Sequence, residues 1–382
     1  MAQWNRVPLI DYIELIGGGT PKTTVPEYWN GNIPWLSVKD FNNDKRYVYS
    51  TEKHISQSGF ENSPTKMLHK DDIIISARGT VGEIAMIPFD MAFNQSCYGI
   101  RASRGIDQPF LYYLLKNCIS QLKRMTHGSV FDTITRDTFA NIEVDIPDAE
   151  TQKRISSVLA DIDNKIEVND AINDNLHQQA ATLFKALFVD LTPFDGTMPP
   201  NWTISTLGDA TEMGAGGDKP KESSPVKTPL CPYPIYSNGI NDYGLYGYTN
   251  DPKIKVESVT VSARGTIGYV CLRHTPYVPI VRLVTLIPDT KVLSAKYLYL
   301  YLRQLHITGT GTTQQQLTVP DFRKTEIIIP DKNTMDSFTE TVTPLFEQIW
   351  ANEDENTKLA EVRAALLPKL MSGEIDVSDI QL

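Results

Sequence analysis

The chain has 382 residues, 41% hydrophobic and 21% charged, which excludes a disordered or collagenous polypeptide and at this length predicts two or three domains. No apolar run approaches the roughly 18 residues that cross a bilayer, and the opening MAQWNRVPLI lacks the basic and apolar stretches of a signal peptide, so a cytoplasmic location is expected. The net charge of −10 would argue against a nucleic-acid partner if it were evenly spread, but residues 1–148 carry 15 basic and 17 acidic side chains, 149–198 carry 4 and 8, 199–331 carry 13 and 11, and 332–382 carry 4 and 10.

In chain order, residues 1–148 read as a first globular part. Trp4 precedes a Gly-rich stretch, Gly17 to Lys22. Short β-branched runs bounded by Gly, Pro and Asn clusters predict strands and turns, and a helix is predicted near 108–124. Ser76-Ala77-Arg78-Gly79-Thr80 closes one such run, and Ile146-Pro147-Asp148 ends the part. From Ala149 to about Val189, Gly and Pro are absent and apolar residues return every three or four positions, which predicts a long helix over 149–190.

After a linker near 191–200, residues to 331 repeat the first part. Trp202 precedes GAGGDKPK (214–221), and Ser262-Ala263-Arg264-Gly265-Thr266 repeats the earlier pentamer. Tyr297 to Arg303 echoes Phe110 to Lys116 on a helix predicted near 294–305, and Ile329-Pro330-Asp331 echoes the first ending. Residues 332–382 then form a second helix and a C-terminal tail. Tandem duplication is the economical explanation.

The two helices share one register. Ile155, Leu159, Ile162, Ile166, Asn169, Asn173, Leu176, Ala180, Leu183 and Leu187 step by four and three, and Phe338, Val342, Leu345, Ile349, Asn352, Asn356, Leu359, Arg363, Leu366 and Leu370 follow 183 positions later. That is the heptad seam of a coiled coil, in which Pro368 is expected to kink or end the second helix before Leu370. Buried seam asparagines fix register. An antiparallel pairing with residue numbers summing to 525 matches Asn169 with Asn356 and Asn173 with Asn352. The competing arrangement has each helix packing separately on its own globular part.

About 36 helical residues make a rod of some 50 to 55 Å. Two related heads held by an antiparallel rod form a pseudo-two-fold caliper, and a duplex with a split target offers such heads equivalent faces at multiples of 34–36 Å. The expected fold class is therefore α+β, with two duplicated mixed α/β domains separated by two long helices in an antiparallel coiled coil.

Catalytic signatures are missing. There is no phosphate loop of the G-x-x-x-x-G-K-[ST] kind, no amino-methyltransferase Asn/Asp-Pro-Pro-Tyr/Phe and no paired-histidine metal spacing. A nuclease-like string, Pro147-Asp148 followed by Asp163-Asn164-Lys165, is discounted because Asp163 and Lys165 lie two apart on a predicted helix and point in different directions. The four cysteines, Cys97, Cys118, Cys231 and Cys271, are too scattered for a disulfide framework or a zinc knuckle and read as buried thiols.

With these features in place, the whole chain resembles the specificity subunits of type I restriction-modification enzymes. The resemblance is carried by Trp4 with GGGTPK, Ile33-Pro34-Trp35, both SARGT segments with Gly82 and Gly268, Asn94-Gln95, both Ile-Pro-Asp junctions and the ending from Leu366 to Ile375 (LLPKLMSGEI). It implies two target recognition domains, each reading one half of a bipartite double-stranded DNA sequence. It also implies a coiled coil that sets the spacing and recruits two modification subunits and the restriction subunits. The chain itself would be non-catalytic and hold no metal or cofactor, while S-adenosylmethionine, ATP and Mg act on the partner subunits of a deoxyribonuclease and adenine-N6 methyltransferase complex. The second repeat departs from the pattern, with Tyr277 to Leu286 where Asn94-Gln95 stands in the first and Asp218-Lys219-Pro220 in place of Thr-Pro. The competing class is a two-headed coiled-coil adaptor that binds proteins and lacks DNA specificity.

Segments identical in both heads cannot discriminate different half-sites. The SARGT turn is thus either a scaffold turn needing Gly79 and Gly265 or a phosphate contact through Arg78 and Arg264. Base reading is expected where the heads diverge: Lys39 to Lys53, with Lys39, Asn42, Asn43, Lys45 and Arg46, and His127 to Arg136 in the first; Tyr236 to Tyr248, with Ser237, Asn238, Asn241 and Tyr243, and Thr308 to Gln316 in the second. Arg and Lys suit guanine and Asn and Gln suit adenine, which makes Gln314, Gln315 and Gln316 adenine-reading candidates.

Overall fold

Ile73, Ile74 and Ile75 show no polar alternation because the strand they form is covered on both faces. In the computed structural model, which describes residues 4–126, 133–309 and 316–380, Ile73 and Ile75 join a core with Leu15, Ile100, Phe110 and Leu115. Ile74 joins a second core with Leu36, Leu68 and Phe93. The chain forms two compact units, residues 1–171 with 352–382 and residues 172–351.

In the first unit the strands are β1 (Asn5–Pro8), β2 (Ile13–Gly17), β3 (Trp29–Leu36), β4 (Lys53–Ile55), β5 (Met67–Leu68), β6 (Ile73–Ser76), β7 (Ile84–Met86), β8 (Met91–Phe93), β9 (Cys97–Ala102) and β10 (Glu143–Ile146). One sheet runs β2-β9-β6-β7 and is wholly antiparallel, a second runs β4-β3-β8-β5 with β3 and β8 parallel, and β1 pairs with β10. The helix Gln108–Thr126 buries Phe110, Leu111 and Leu115 against the first sheet.

The second unit holds β11 (Thr203–Thr206), β12 (Thr211–Ala215), β13 (Ser223–Ser224), β14 (Tyr233–Tyr236), β15 (Leu245–Thr249), β16 (Ser258–Val261), β17 (Val270–Arg273), β18 (Val278–Pro279), β19 (Val284–Pro288) and β20 (Glu326–Ile329). The order β12-β19-β16-β17 repeats the first sheet strand for strand. The other sheet, β13-β15-β14-β18, keeps only one parallel pair, which lies at its edge and not at its centre, Ile235 beside Val278 matching Trp35 beside Ala92. Duplication is thus preserved in the sheet that packs on the helices and lost in the sheet that carries the divergent segments.

Two long helices, Ala149–Phe184 and Lys332–Met371, each contribute to both units. Each begins at an aspartate cap. Asp148 accepts from the Glu150 and Thr151 amides at 3.1 and 3.0 Å and Asp331 from those of Asn333 and Thr334 at 3.1 and 3.2 Å, satisfying donors that a helix start leaves open. Hydrogen bonds from Thr151 and Thr334 hold the two carboxyls below the ordinary carboxylate range. The caps are therefore intact above that range and weaken as pH falls through it.

Within the first unit the helices meet directly. Asn169, 1% exposed, donates to Asn356 Oδ1 at 2.9 Å and to Glu355 at 2.7 Å, while Asn356 donates to Asp170 at 2.9 Å. In the second unit Asn173 donates to the Ile349 carbonyl at 3.4 Å. The helices also pack on the globular parts, since Ile155, Leu159, Leu367 and Leu370 lie in the first core and Phe184, Phe338, Val342 and Phe346 in the core of the second unit.

Two expectations need correction. Leu183 is 37% exposed while Phe184 is buried at 1%, because a heptad seam is narrower than the stripe a helix needs when it packs on two neighbours at once. Of the two outcomes expected at Pro368, a kink or an end, the end does not occur: the second helix continues through Pro344 and Pro368 to Met371. Burial of Leu367, Leu370 and Met371 in the first core outweighs the lost proline donors.

The glycine run has a packing cause. A Cβ on Gly18 would collide with the Asn94 carbonyl and one on Gly19 with the Thr65 backbone, whereas one on Gly17 meets nothing within 4 Å. Gly18→Ala is therefore expected to destabilise the first unit by about 1–3 kcal/mol, and Gly17→Ala by less than about 1 kcal/mol. Chemical denaturation of the full chain measures both.

Candidate nucleic-acid interface

The SARGT segment folds the same way in both units. Ser76 Oγ accepts from the Glu83 amide at 2.8 Å and donates to the Thr80 carbonyl at 2.5 Å, and the Gly82 amide returns to Ser76 O at 3.0 Å. In the second unit Gly268 returns to Ser262 O at 3.0 Å. Gly79 and Gly265 have φ of +78° and +69°, the left-handed region that glycine tolerates. Both would place an added Cβ in open space, so these turns are shaped by backbone conformation and project the preceding arginine outward.

In the first unit that arginine reaches a groove. The Ala77 and Arg78 amides donate to Ser96 O at 2.8 and 3.2 Å, and Asn94 Oδ1 accepts from the Ser96 amide at 3.1 Å. The parallel pairing of β3 with β8 brings Asn94 to Leu36, whose carbonyl accepts its amide at 3.0 Å. A short helix, Val38–Phe41, follows β3 with Asp40 accepting from the Ser37 amide at 2.7 Å. The result is a groove of about 400 Å³ lined by Trp35, Lys39, Asn42, Lys53, Arg78, Asn94 and Ser96, with Glu52 on one side.

Three cations and one carboxylate face this space. Lys39 lies 3.9 Å from Glu52, and exposed Arg78 has no side-chain partner among the described residues. Trp35 is buried and fixed by its Nε1 donating to Gly19 O at 3.1 Å and by the edge of Trp29 at 5.2 Å between centroids. Cations over an aromatic wall with an amide beside them can hold phosphate and a base edge together.

Asn43, Lys45 and Arg46 lie elsewhere. Asn43 Oδ1 caps the Lys45 amide at 3.1 Å, Lys45 Nζ pairs with Asp170 at 2.9 Å, and Arg46 donates to Asn164 at 3.3 Å while lying over the Tyr47 ring. The segment therefore divides, its two ends at Lys39, Asn42 and Lys53 lining the groove and its middle, Lys45 and Arg46, facing the first long helix. Asn94 and Ser96 were outside the sequence candidates. The available signal was that Asn94-Gln95 stands in one repeat only.

The second unit builds its counterpart differently. Asn238 spends its amide on scaffold, donating to Val281 O at 2.6 Å and accepting from the Ala263 amide at 2.7 Å, while the Ser237 amide donates to Gly244 O at 2.8 Å. Arg264 donates to Gln316 Oε1 at 3.1 and 3.3 Å. Asn241 opens the turn Asn241–Gly244, in which Asp242 and Tyr243 both have positive φ. Tyr243 is 52% exposed, and its carbonyl accepts from Arg273, whose guanidinium stacks 3.6 Å from the Tyr236 ring centroid. Gln314, Gln315 and His127 to Asp132 lie outside the described residues.

Among the described residues no group of three or more His, Cys, Asp or Glu side chains could hold a metal ion, and no helix is long and apolar enough to cross a membrane. Burial pushes the Cys97 thiol up to about 12 and Cys118 up to about 11, far from the range of a nucleophile. Asp148 is a helix cap, and Asp163 accepts from Tyr113 at 2.6 Å and pairs with Arg363, so the nuclease-like string is structural.

The two units are thus copies of one module with a shared turn and divergent surroundings. The model of the type I restriction modification DNA specificity domain matches residues 1–178 and again 199–361, and the chain belongs to that family. The MjaIX specificity subunit of Methanocaldococcus jannaschii is 27% identical over 99% of this chain and 94% of its own length. The HindI specificity subunit of Haemophilus influenzae is 26% identical over 70% and 77%. Among solved structures, the type I restriction-modification S subunit from M. genitalium aligns over 97% of this chain and 96% of its own with a TM-score of 0.58 at 15% identity, a likeness of fold.

Proposed function

We propose that this chain is the non-catalytic, DNA-reading subunit of a type I restriction-modification complex, each unit reading one half of a bipartite double-stranded target. The groove that joins Arg78 of the repeated turn to the unrepeated Lys39, Asn42 and Asn94 carries this reading. Repeated arginines contact phosphate and set register, and unrepeated polar groups discriminate bases. Arg264, held by Gln316, is the corresponding phosphate contact of the second unit, and Tyr243 and Asn241 stand where that unit diverges. The helices set the half-site spacing and recruit two modification subunits and the restriction subunits. S-adenosylmethionine, ATP and Mg act on those partners.

Selection of assembled complex against randomised bipartite duplexes tests the reading. Two enriched half-sites with a constant gap support it, and enrichment of none favours the protein-binding adaptor. The helical segments 149–198 and 332–382 are strongly acidic and repel phosphate unless another protein covers them. The isolated chain is therefore expected to bind its target weakly with a shallow salt dependence, and both affinity and slope rise when modification subunits are added. Gel shifts at several salt concentrations check this. Labelled S-adenosylmethionine with the chain and DNA alone is expected to give no methyl transfer.

A further inference from the structure

Residues 44–49 carry an unusual number of polar links to the long helices of their own unit. Asp44 pairs with Arg363 and, at 2.8 Å, with Lys116. Arg363 also pairs with Asp163, which is 3% exposed at its side chain. Lys45 reaches Asp170 and Arg46 reaches Asn164, while burial and then the nearby Glu167 carboxylate raise the pKa of the Tyr49 hydroxyl. Asp163, Asn164, Glu167 and Asp170 lie within two turns of one helix, so the segment runs along it.

The second repeat lacks this arrangement. The positions 183 removed from Asp163 and Arg363 are Phe346 and Ala180, both buried in an apolar core. Phe346 packs edge-on to Tyr299 at 5.8 Å, and Arg303, the counterpart of Lys116, donates to the Tyr299 hydroxyl at 3.0 Å. No carboxylate stands at the place of Asp163. The duplicated modules thus share a seat on the helices but differ in its chemistry, ionic in the first and aromatic in the second among the described residues.

From this asymmetry we infer that Asp44 and Arg363 form a latch that positions the groove residues Lys39 and Asn42 for base discrimination by the first unit only. The inference rests on the DNA-reading function proposed above. Asn42 and Asp44 are two residues apart, so fixing one restricts the other to the few backbone conformations open to the peptide between them. Asp44 is two-thirds exposed at its side chain and does not itself fill the core, which makes it the position where the latch can be opened without emptying the core.

The test uses assembled complex with Asp44→Asn and Asp44→Glu, duplexes randomised in one half-site at a time, and amide exchange over residues 39–53. Asp44→Asn is expected to speed exchange over 43–49 at least fivefold and to reduce discrimination at the first unit's half-site about tenfold, leaving the other half-site unchanged. Asp44→Glu, which keeps the carboxylate, is expected to restore most of both. Unchanged exchange, discrimination lost equally at both half-sites, or faster exchange with discrimination intact would each overturn the latch. Absence of any half-site preference in the unaltered complex would overturn the DNA-reading function instead, and amide exchange would still show whether the contact orders the segment.

Discussion

Arg363→Ala is expected to lower the stability of the first unit by about 3–5 kcal/mol, the cost of stranding a buried carboxylate. Asp163 is 3% exposed at its side chain and takes its charge compensation from Arg363, with Tyr113 as its second hydrogen-bond partner at 2.6 Å. Removing the arginine leaves the carboxylate buried without its charge partner. The second unit indicates the remedy, since it places Phe346 and Ala180 at the matching positions. Asp163→Phe combined with Arg363→Ala is expected to recover more than half of the loss, because an apolar pair of similar volume often equals a buried ion pair. Denaturant titration of the wild type, both single variants and the double variant measures the coupling. Asp44 adds a pH dependence: burial alone would raise its carboxyl, but Lys116 and then Arg363 hold it below the ordinary range. Its contribution is thus fully present above about pH 4 and fades as pH falls.

For the assembled complex, Arg78→Ala is expected to weaken DNA binding by about 1.5–3 kcal/mol, roughly ten- to a hundredfold, the range for a hydrogen bond to a charged group. Arg78 is exposed on a repeated turn, so the loss is expected to be uniform across target sequences and to flatten the salt dependence by about 0.9. Asn42→Ala, at an unrepeated position in the same groove, is expected instead to relax preference at one base pair by about 1–3 kcal/mol while leaving the slope unchanged. Salt titrations on matched and singly mismatched duplexes separate the two behaviours. A slope unaffected by Arg78→Ala would remove phosphate contact from that residue.

The duplication and the helical seam were legible because both are periodic. An identical pentamer, two Ile-Pro-Asp caps and a four-three step of apolar residues are visible without any long-range information. The groove was half legible. Lys39, Asn42 and Arg78 were singled out and meet in it, but Asn94 and Ser96 arrive through a parallel strand pairing between residues almost 60 positions apart. Lys45 and Arg46 look the same in sequence as Lys39, and what distinguishes them is a helix face more than 100 residues away that reads as a solvated acidic stripe. Asp163 and Leu367 in the first unit and Phe184 and Phe346 in the second lie outside the heptad pattern because each also meets the globular part of its own unit, Asp163 through Tyr113, Phe184 through Tyr297 and Phe346 through Tyr299. Asn238 resembles a free amide in a loop, yet both of its polar atoms are committed to neighbouring backbone.

The first unit is assembled from segments on either side of the second in the sequence. Leu367, Leu370, Met371 and Val377 complete its core, Gly373 lies against Trp4, and Arg154 donates to Val377 O at 3.2 Å. During synthesis the contiguous second unit can therefore close as soon as it leaves the ribosome, while the earlier-made first unit waits with its core incomplete until Leu367, Leu370, Met371 and Val377 emerge. Losing residues 352–377 would thus open the core of the first-made unit while the contiguous second unit keeps all of its own residues.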